Sequence, residues 1–357
     1  MTLSRLVSGM RAAGHEVEVV RPRQAGESGT AAKVPGEFLV PGFPLPFYAS
    51  LRFGWPASGR LRQRWCHWRP DVVHVATEGP LGQAARWAAK GLGIPVTSSF
   101  HTNFHHYGLH YGLKVLQRAG LAYLRGFHNA TRCTMVPTSE MRAELAAVGF
   151  KRLEVISRGV DTTLFDPARR SAALRAEWGA KADTPVAIYV GRLAAEKNLA
   201  LAVRAFVEMR AREPQARFVL VGDGPERAIL ARRYPDFHYA GMRRGEDLAA
   251  HYASADIFLF PSVTETFGNV ITESMASGLV VVSYDYAAAR EHVRHEVNGL
   301  VAPLHDEEKW LATAGAALRG RSRWPEWRRA ARETTHAITW PAIVARFEAT
   351  LERARVE

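Results

Sequence analysis

The stretch Pro261-Ser-Val-Thr-Glu265-Thr-Phe-Gly268-Asn269-Val-Ile-Thr-Glu273 carries an apolar run, Ile257-Phe-Leu-Phe260, through a glycine into a helical pattern. Strand, glycine and helix in that order form the turn of a parallel βα unit, so the chain reads as α/β. Gly268 lets the backbone turn tightly, and the helix after it opens with N–H groups that lack partners and attract phosphate. Glu265 lies in the loop and Glu273 one turn inside the helix, with seven residues between them, so both can face one ligand. Two solvated acids near a favourable helix dipole would give the same pattern. The stretch alone does not separate the two readings.

A second constellation lies upstream. Val186-Ala-Ile-Tyr-Val190 is a buried strand, Gly191 follows it, and Arg192 and Lys197 stand five residues apart before a helix from Leu199 to Arg212. Cations at a helix N-terminus oppose the dipole, which argues against a structural role. A bound anion reverses that penalty, and arginine with lysine suits a diphosphate. Anion-binding cations, followed by two carboxylates that can accept hydroxyl protons, outline a site for a nucleotide sugar.

Along the chain, short apolar runs alternate with helical segments. Glu16–Val20, Val72–Ala76, Val96–Phe100, Thr134–Val136 and Val155–Ile156 read as strands of one domain. Val186–Val190, Phe218–Val221, Phe237–Ala240, Ile257–Phe260 and Val280–Ser283 read as strands of another, with helices Trp310–Leu318 and Trp340–Arg353 outside. The boundary falls near Ser157–Phe165, where Gly159 and a polar segment interrupt the alternation. The chain of 357 residues, 47% hydrophobic, suffices for two cores. No apolar run reaches the roughly 18 residues of a spanning helix, and no charged-then-apolar leader opens it. A cytoplasmic protein is therefore expected. Cys66 and Cys133 are isolated and indicate neither a disulfide framework nor a thiolate zinc site. The net charge of +12 suits phosphorylated substrates, an anionic membrane or simply a solvated basic surface. Nucleic acid is disfavoured, because no finger, RNA-binding signature or stacking pattern accompanies the charge.

Gly191-Arg192 with Lys197, Gly222-Asp-Gly224-Pro225, and Glu265-Thr-Phe-Gly268 with Glu273 resemble the donor half of retaining glycosyltransferases of family four. Phe100-His101-Thr-Asn-Phe-His105 and Ser157-Arg-Gly-Val-Asp161 are most similar to bacterial GDP-mannose-dependent mannosyltransferases and related glycolipid glycosyltransferases. The resemblance covers nearly the whole chain. It implies the GT-B fold: two Rossmann-like domains facing a cleft, with residues 1–157 on the acceptor side, 158–335 binding the nucleotide sugar, and 336–357 forming a helix that crosses back to the first domain. Relatives open with a strand and glycine-rich loop, whereas here Leu3, Leu6, Val7 and Met10 mark a helix first. A first domain lacking that strand and loop is expected, with acceptor handling affected.

The resemblance also implies roles. Arg192 and Lys197 hold the diphosphate, Glu265 accepts from sugar hydroxyls, Glu273 from ribose hydroxyls, and His101 lies beside the donor sugar. The base lies against Gly241-Met242-Arg243 near Gly222 and Gly224, and Gly191, Phe267, Gly268, Asn269 and Val270 complete the donor site. His101, His105, His106 and His110 have helical spacing that could suit a metal, yet no second cluster completes such a site. No Asp-x-Asp motif is present. Catalysis with neither metal nor cofactor is expected, moving a hexose, mannose foremost, from GDP-mannose or else a UDP-sugar to a lipid or saccharide acceptor. An inactive nucleotide-sugar-binding protein and a GT-B phosphorylase or epimerase stay open as alternatives. Arg52, Trp55, Arg60, Arg62, Arg64, Trp65, Trp68 and Arg69, with Phe47, Tyr48 and Phe53 nearby, read either as an anionic-membrane surface or as a helix whose tryptophans enter the core. The first of these makes the protein peripheral on the cytosolic face.

Overall fold

The computed structural model describes residues 2–24, 27, 35–45, 48–101 and 114–356. The chain divides into two compact units, Met1–Ser157 with Trp340–Glu357, and Arg158–Thr339.

In the second unit, six parallel strands are Val186–Val190 (β9), Arg217–Val221 (β10), His238–Gly241 (β11), Ile257–Phe260 (β12), Val280–Tyr284 (β13) and Leu300–Ala302 (β14), numbered along the whole chain. They lie side by side in the order β11-β10-β9-β12-β13-β14. Every residue of β9, β12 and β13 is buried, as strands covered on both faces require. The chain starts mid-sheet at β9, runs outward to β11, then returns to the other side at β12, so the order reverses between β9 and β12. Doubly wound sheets bind ligands at such a reversal, outside the carboxyl ends of the strands. Between the strands run helices Leu199–Arg212, Arg227–Arg233, Gly245–Ser254 and Asn269–Ala276.

The first unit has a four-stranded parallel sheet of Val73–Val75 (β5), Val96–Ser99 (β6), Cys133–Val136 (β7) and Leu153–Val155 (β8), paired in chain order. The predicted strand at Glu16–Val20 is displaced to Val19–Pro22 (β1), and it pairs with Glu37–Val40 (β2) rather than joining that sheet. Gly42–Leu45 (β3) and Tyr48–Gly54 (β4) form an antiparallel hairpin. A first helix, Thr2–Ala12, buries Leu6 and Met10 against Ile343, Val344 and Phe347 of the last helix, Trp340–Val356. Gly9 makes the close approach possible, since a Cβ there would lie 2.3 Å from a Val344 methyl. Among the described residues no helix is long and apolar enough to cross a membrane.

Part of the arginine content is structural. Asp256, nearly buried before β12, receives Arg170 at 3.0 Å, Arg175 at 3.2 Å and Arg328 at 3.0 Å. The reading of the charge as solvated surface is corrected to that extent.

Candidate functional site

The loops after β9 and β12 flank the reversal point and are stitched together. Lys197 Nζ donates to Glu265 Oε1 at 2.6 Å and to the Thr264 carbonyl at 3.4 Å, while Thr264 Oγ1 donates to the Glu196 carbonyl at 3.1 Å. Glu265 Oε1 also accepts from Ser262 Oγ at 2.8 Å, and the Glu265 carbonyl accepts from Tyr286 at 2.9 Å. Loop and carboxylate are thus held before any ligand arrives. The dipole argument had left Arg192 and Lys197 without structural partners, and here it is corrected. Lys197 is paired with Glu265, and Arg192, 64% exposed, with Glu196 at 3.1 Å. Lys197 sits in a short 3-10 turn ahead of the helix, so it does not meet the unfavourable dipole end-on.

The glycines after β9 and β10 serve close backbone approach. A Cβ on Gly222 would fall 1.9 Å from the Gly191 carbonyl oxygen, and one on Gly224 2.3 Å from that of Leu193. Backbone bonds join the same loops: Gly191 N to the Val221 carbonyl at 3.0 Å, and Gly222 N to that of Gly241 at 2.8 Å. The ends of β9, β10 and β11 therefore form one smooth shelf. Met242 stands 61% exposed beside it, and Arg243 is held by the Ala240 carbonyl at 2.8 Å and Asp247 at 3.0 Å.

Helix Asn269–Ala276 starts at Gly268, whose φ of +89° places it in the left-handed region that favours glycine. Phe267 is buried beneath the turn, and Asn269 Oδ1 is buried without a hydrogen-bond partner among the described residues. One turn in, Glu273 accepts from the buried Tyr252 hydroxyl at 3.2 Å. Burial pushes its carboxyl up to about 7, with the Tyr252 hydrogen bond opposing. Positive backbone ends, a lysine and two carboxylates of different environment are what a diphosphate with two sets of hydroxyls would meet.

Residues 1–164 match the family described as Glycosyltransferase Family 4, and residues 184–319 that described as Glycosyl transferases group 1. Over 359 residues the chain is 33% identical to a GDP-mannose-dependent alpha-mannosyltransferase of Mycolicibacterium smegmatis, covering 98% of this chain and 92% of the relative. This chain is a family 4 glycosyltransferase. An alpha-monoglucosyldiacylglycerol synthase of Acholeplasma laidlawii is 29% identical over 306 residues, covering 78% and 75% of the two chains. Among solved structures, sucrose-phosphate synthase from Thermosynechococcus elongatus has a TM-score of 0.77 at 19% identity and covers 98% of this chain and 92% of its own. That likeness concerns the fold, GT-B.

Within the glycosyltransferase, Gly191, Arg192, Lys197, Gly222, Gly224, Met242, Arg243, Glu265, Phe267, Gly268, Asn269, Val270 and Glu273 all fall on the shelf, loops or helix of the second unit. His101 belongs to the first unit, exposed just past the carboxyl end of β6. Beneath it His74 bonds Thr97 at 2.9 Å and Ser99 at 2.9 Å. Burial, and then His101, lowers His74 to about 3 and His128 to about 4, so both are neutral. Thr102, Asn103, Phe104, His105, His106, His110 and Phe47 lie outside the described residues. Sequence reasoning gave no role to Arg158, although it faces Phe267. Its place in the Ser157-Arg158-Gly159 segment, far from Glu265 along the chain, carried no periodic signal.

Proposed function

We propose that this glycosyltransferase moves a mannosyl unit from GDP-mannose to a lipid or saccharide acceptor, with retention of anomeric configuration and without a metal. The observation that carries the reading is the Lys197–Glu265 pair at the reversal point, together with the name of the 33%-identical relative. Lys197 and Arg192 take the diphosphate, and the N–H groups that open helix Asn269–Ala276 add positive charge. Glu273 takes the ribose hydroxyls and Glu265 a sugar hydroxyl. As the bond from the anomeric carbon to the phosphate oxygen breaks, negative charge grows where those donors lie. The acceptor oxygen bonds to the same face of that carbon, and its proton passes to the departing phosphate. No carboxylate becomes a nucleophile. The family resemblance also implies a role in transfer for His101.

Purified protein incubated with GDP-mannose, and in parallel with UDP-glucose, each with a diacylglycerol-based glycolipid or an oligosaccharide, tests this. Expected is α-linked mannosyl product, seen by NMR, with yield unchanged by EDTA. Product of inverted configuration, loss with EDTA, or transfer from UDP-glucose alone would each overturn the matching part.

A lipid acceptor would be met at an anionic surface. Trp55 is 60% exposed on the β3–β4 hairpin side, with Phe43 ring centroids 5.8 Å from Trp55 and 5.6 Å from Phe53. Arg60 and Arg62 are exposed on the helix that follows. The broader stretch divides: Trp65 is buried in the core and Arg64 is tied to Glu18, so neither belongs to a docking face. With each cation worth about 1 kcal/mol near an anionic leaflet, sedimentation with phosphatidylglycerol vesicles should fall with salt and with Arg60→Glu plus Arg62→Glu. Binding indifferent to both would leave a soluble acceptor.

A further inference from the structure

Helix Gly245–Ser254 carries Tyr252 in its last turn, and the side chain is wholly buried. The rings of Phe165 and Phe258 meet it edge-on, at centroid distances of 5.7 Å and 6.0 Å, which fixes its orientation. In such surroundings a phenylalanine would pack as well, and a hydroxyl taken out of water costs free energy unless it is bonded. The hydroxyl has one partner among the described residues, Glu273 Oε2 at 3.2 Å, on helix Asn269–Ala276. Packing explains the ring, and only the carboxylate explains the hydroxyl.

Glu273 in turn keeps some exposure and takes no donor other than Tyr252 among the described residues, so its Oε1 is left without one. Burial, and then the charge of Glu273, hold the Tyr252 hydroxyl well above its usual value, so it keeps its proton and stays a donor. Burial raises the Glu273 carboxyl too, and the Tyr252 hydrogen bond opposes that rise. A pair kept for stability alone gains little, since two apolar side chains of the same shape are about as stable. A pair that presents one carboxylate oxygen to a ligand gains an orientation that a lone glutamate lacks.

We propose that Tyr252 is a positioning residue for the donor: by holding Oε2 of Glu273 it leaves Oε1 set for the ribose hydroxyls of the nucleotide. This rests on the reading of Glu273 as the ribose contact, and it adds the side chain that orients that contact. Wholly buried, Tyr252 does not meet the substrate and acts through the carboxylate. Spacing in the sequence gave no sign of it, because the two residues lie 21 positions apart on helices that follow different strands.

The test compares wild type, Tyr252→Phe, Glu273→Ala and the double variant, by calorimetry with GDP and with the dideoxy analogue that lacks both ribose hydroxyls. Phenylalanine keeps the ring contacts, so Tyr252→Phe is expected to melt close to wild type. It should bind GDP roughly 3- to 10-fold more weakly, while binding the dideoxy analogue as wild type does. In the Glu273→Ala background the same change should have little further effect on GDP, since the group through which it acts is gone. Equal weakening of GDP and its analogue would make Tyr252 structural and overturn the proposal. Unchanged GDP binding, or full additivity of the two changes, would overturn it as well. If wild type binds GDP no better than the dideoxy analogue, or Glu273→Ala binds GDP normally, the ribose role of Glu273 falls and takes the proposal with it. In the three earlier outcomes that role stands and only Tyr252 loses its part. Should wild type take UDP or ADP in place of GDP, the donor base alone is corrected, and the same comparison on that nucleotide decides on Tyr252.

Discussion

The two parallel sheets are built of different material. In the second unit β9 reads Val-Ala-Ile-Tyr-Val and β12 Ile-Phe-Leu-Phe, all buried, and the polar chemistry is confined to the loops at their carboxyl ends. In the first unit β6 reads Val-Thr-Ser-Ser, equally buried, and its hydroxyls face His74, His128, Thr131 and Thr134 inside the sheet layer. An apolar platform tolerates loop changes, because burial rather than specific bonds holds it. A buried polar network depends on every partner being present.

The largest effect expected of this contrast is in the loops. Lys197→Ala and Arg192→Ala should each remove about 3 kcal/mol or more of transition-state stabilisation, a transfer rate at least 100-fold lower, while the melting of the second unit stays close to wild type. A variant with near-normal transfer would break the contrast at its functional end. Glu273→Ala should weaken nucleotide binding by about 1.5 to 3 kcal/mol, the range for a hydrogen bond to a charged group, whereas Glu265→Ala should spare GDP and weaken GDP-mannose. Calorimetry giving the same loss of GDP for both would erase the distinction between the two carboxylates.

On the other side, Ser98→Ala strips His128 Nδ1 of its 2.9 Å partner and Thr134 of a 3.2 Å one. A cost of about 1 to 3 kcal/mol is expected, read as faster hydrogen exchange in the first unit with GDP binding intact. Exchange unchanged there would mean that the polar sheet is no more demanding than the apolar one. Acidity sharpens the comparison in another way. His74 stays neutral in the fold down to about 3, while the unfolded chain binds its proton near 6.5, so this contribution to stability falls as pH falls below 6.5. Glu273 runs the other way: the unfolded chain loses its proton near 4.5 and the folded one only near 7, so its contribution falls as pH rises between those values. His238 and His292 of the second unit are lowered by burial as well, so the Glu273 share is isolated as the wild-type minus Glu273→Gln difference in urea melts at pH 5 and 7.5. A difference independent of pH would contradict the raised carboxyl.

The second unit was legible because its central strands are uniform apolar runs, two of them ending at Gly191 and Gly222, and because Gly268 opens the helix after the third, where glycine is conformationally favoured. The helix from Leu199 to Arg212 was read to the residue. The first unit was harder. Strands β2 and β3 are short, and β3 and β4 carry Gly42, Pro44 and Gly54. Helix Trp324–His336 is so rich in arginine that its apolar stripe of Trp324, Trp327 and Ala331 was overlooked. In the site, residue types and spacing located Lys197 and Glu265 but gave no hint that they touch, because pairing across two βα loops is a property of strand order.

The contact between Lys197 and Glu265 makes the empty loop its own competitor. An anion reaching for the lysine competes with a carboxylate held at 2.6 Å, so bare phosphate or pyrophosphate faces an incumbent, and drawing the lysine away leaves Glu265 with one donor fewer. A nucleotide sugar offers compensation at both ends, an anion for the lysine and hydroxyl protons for the glutamate. On the proposed reading, discrimination against the abundant small anions of a cell would then be set by a contact within the protein, released only when both ends are compensated.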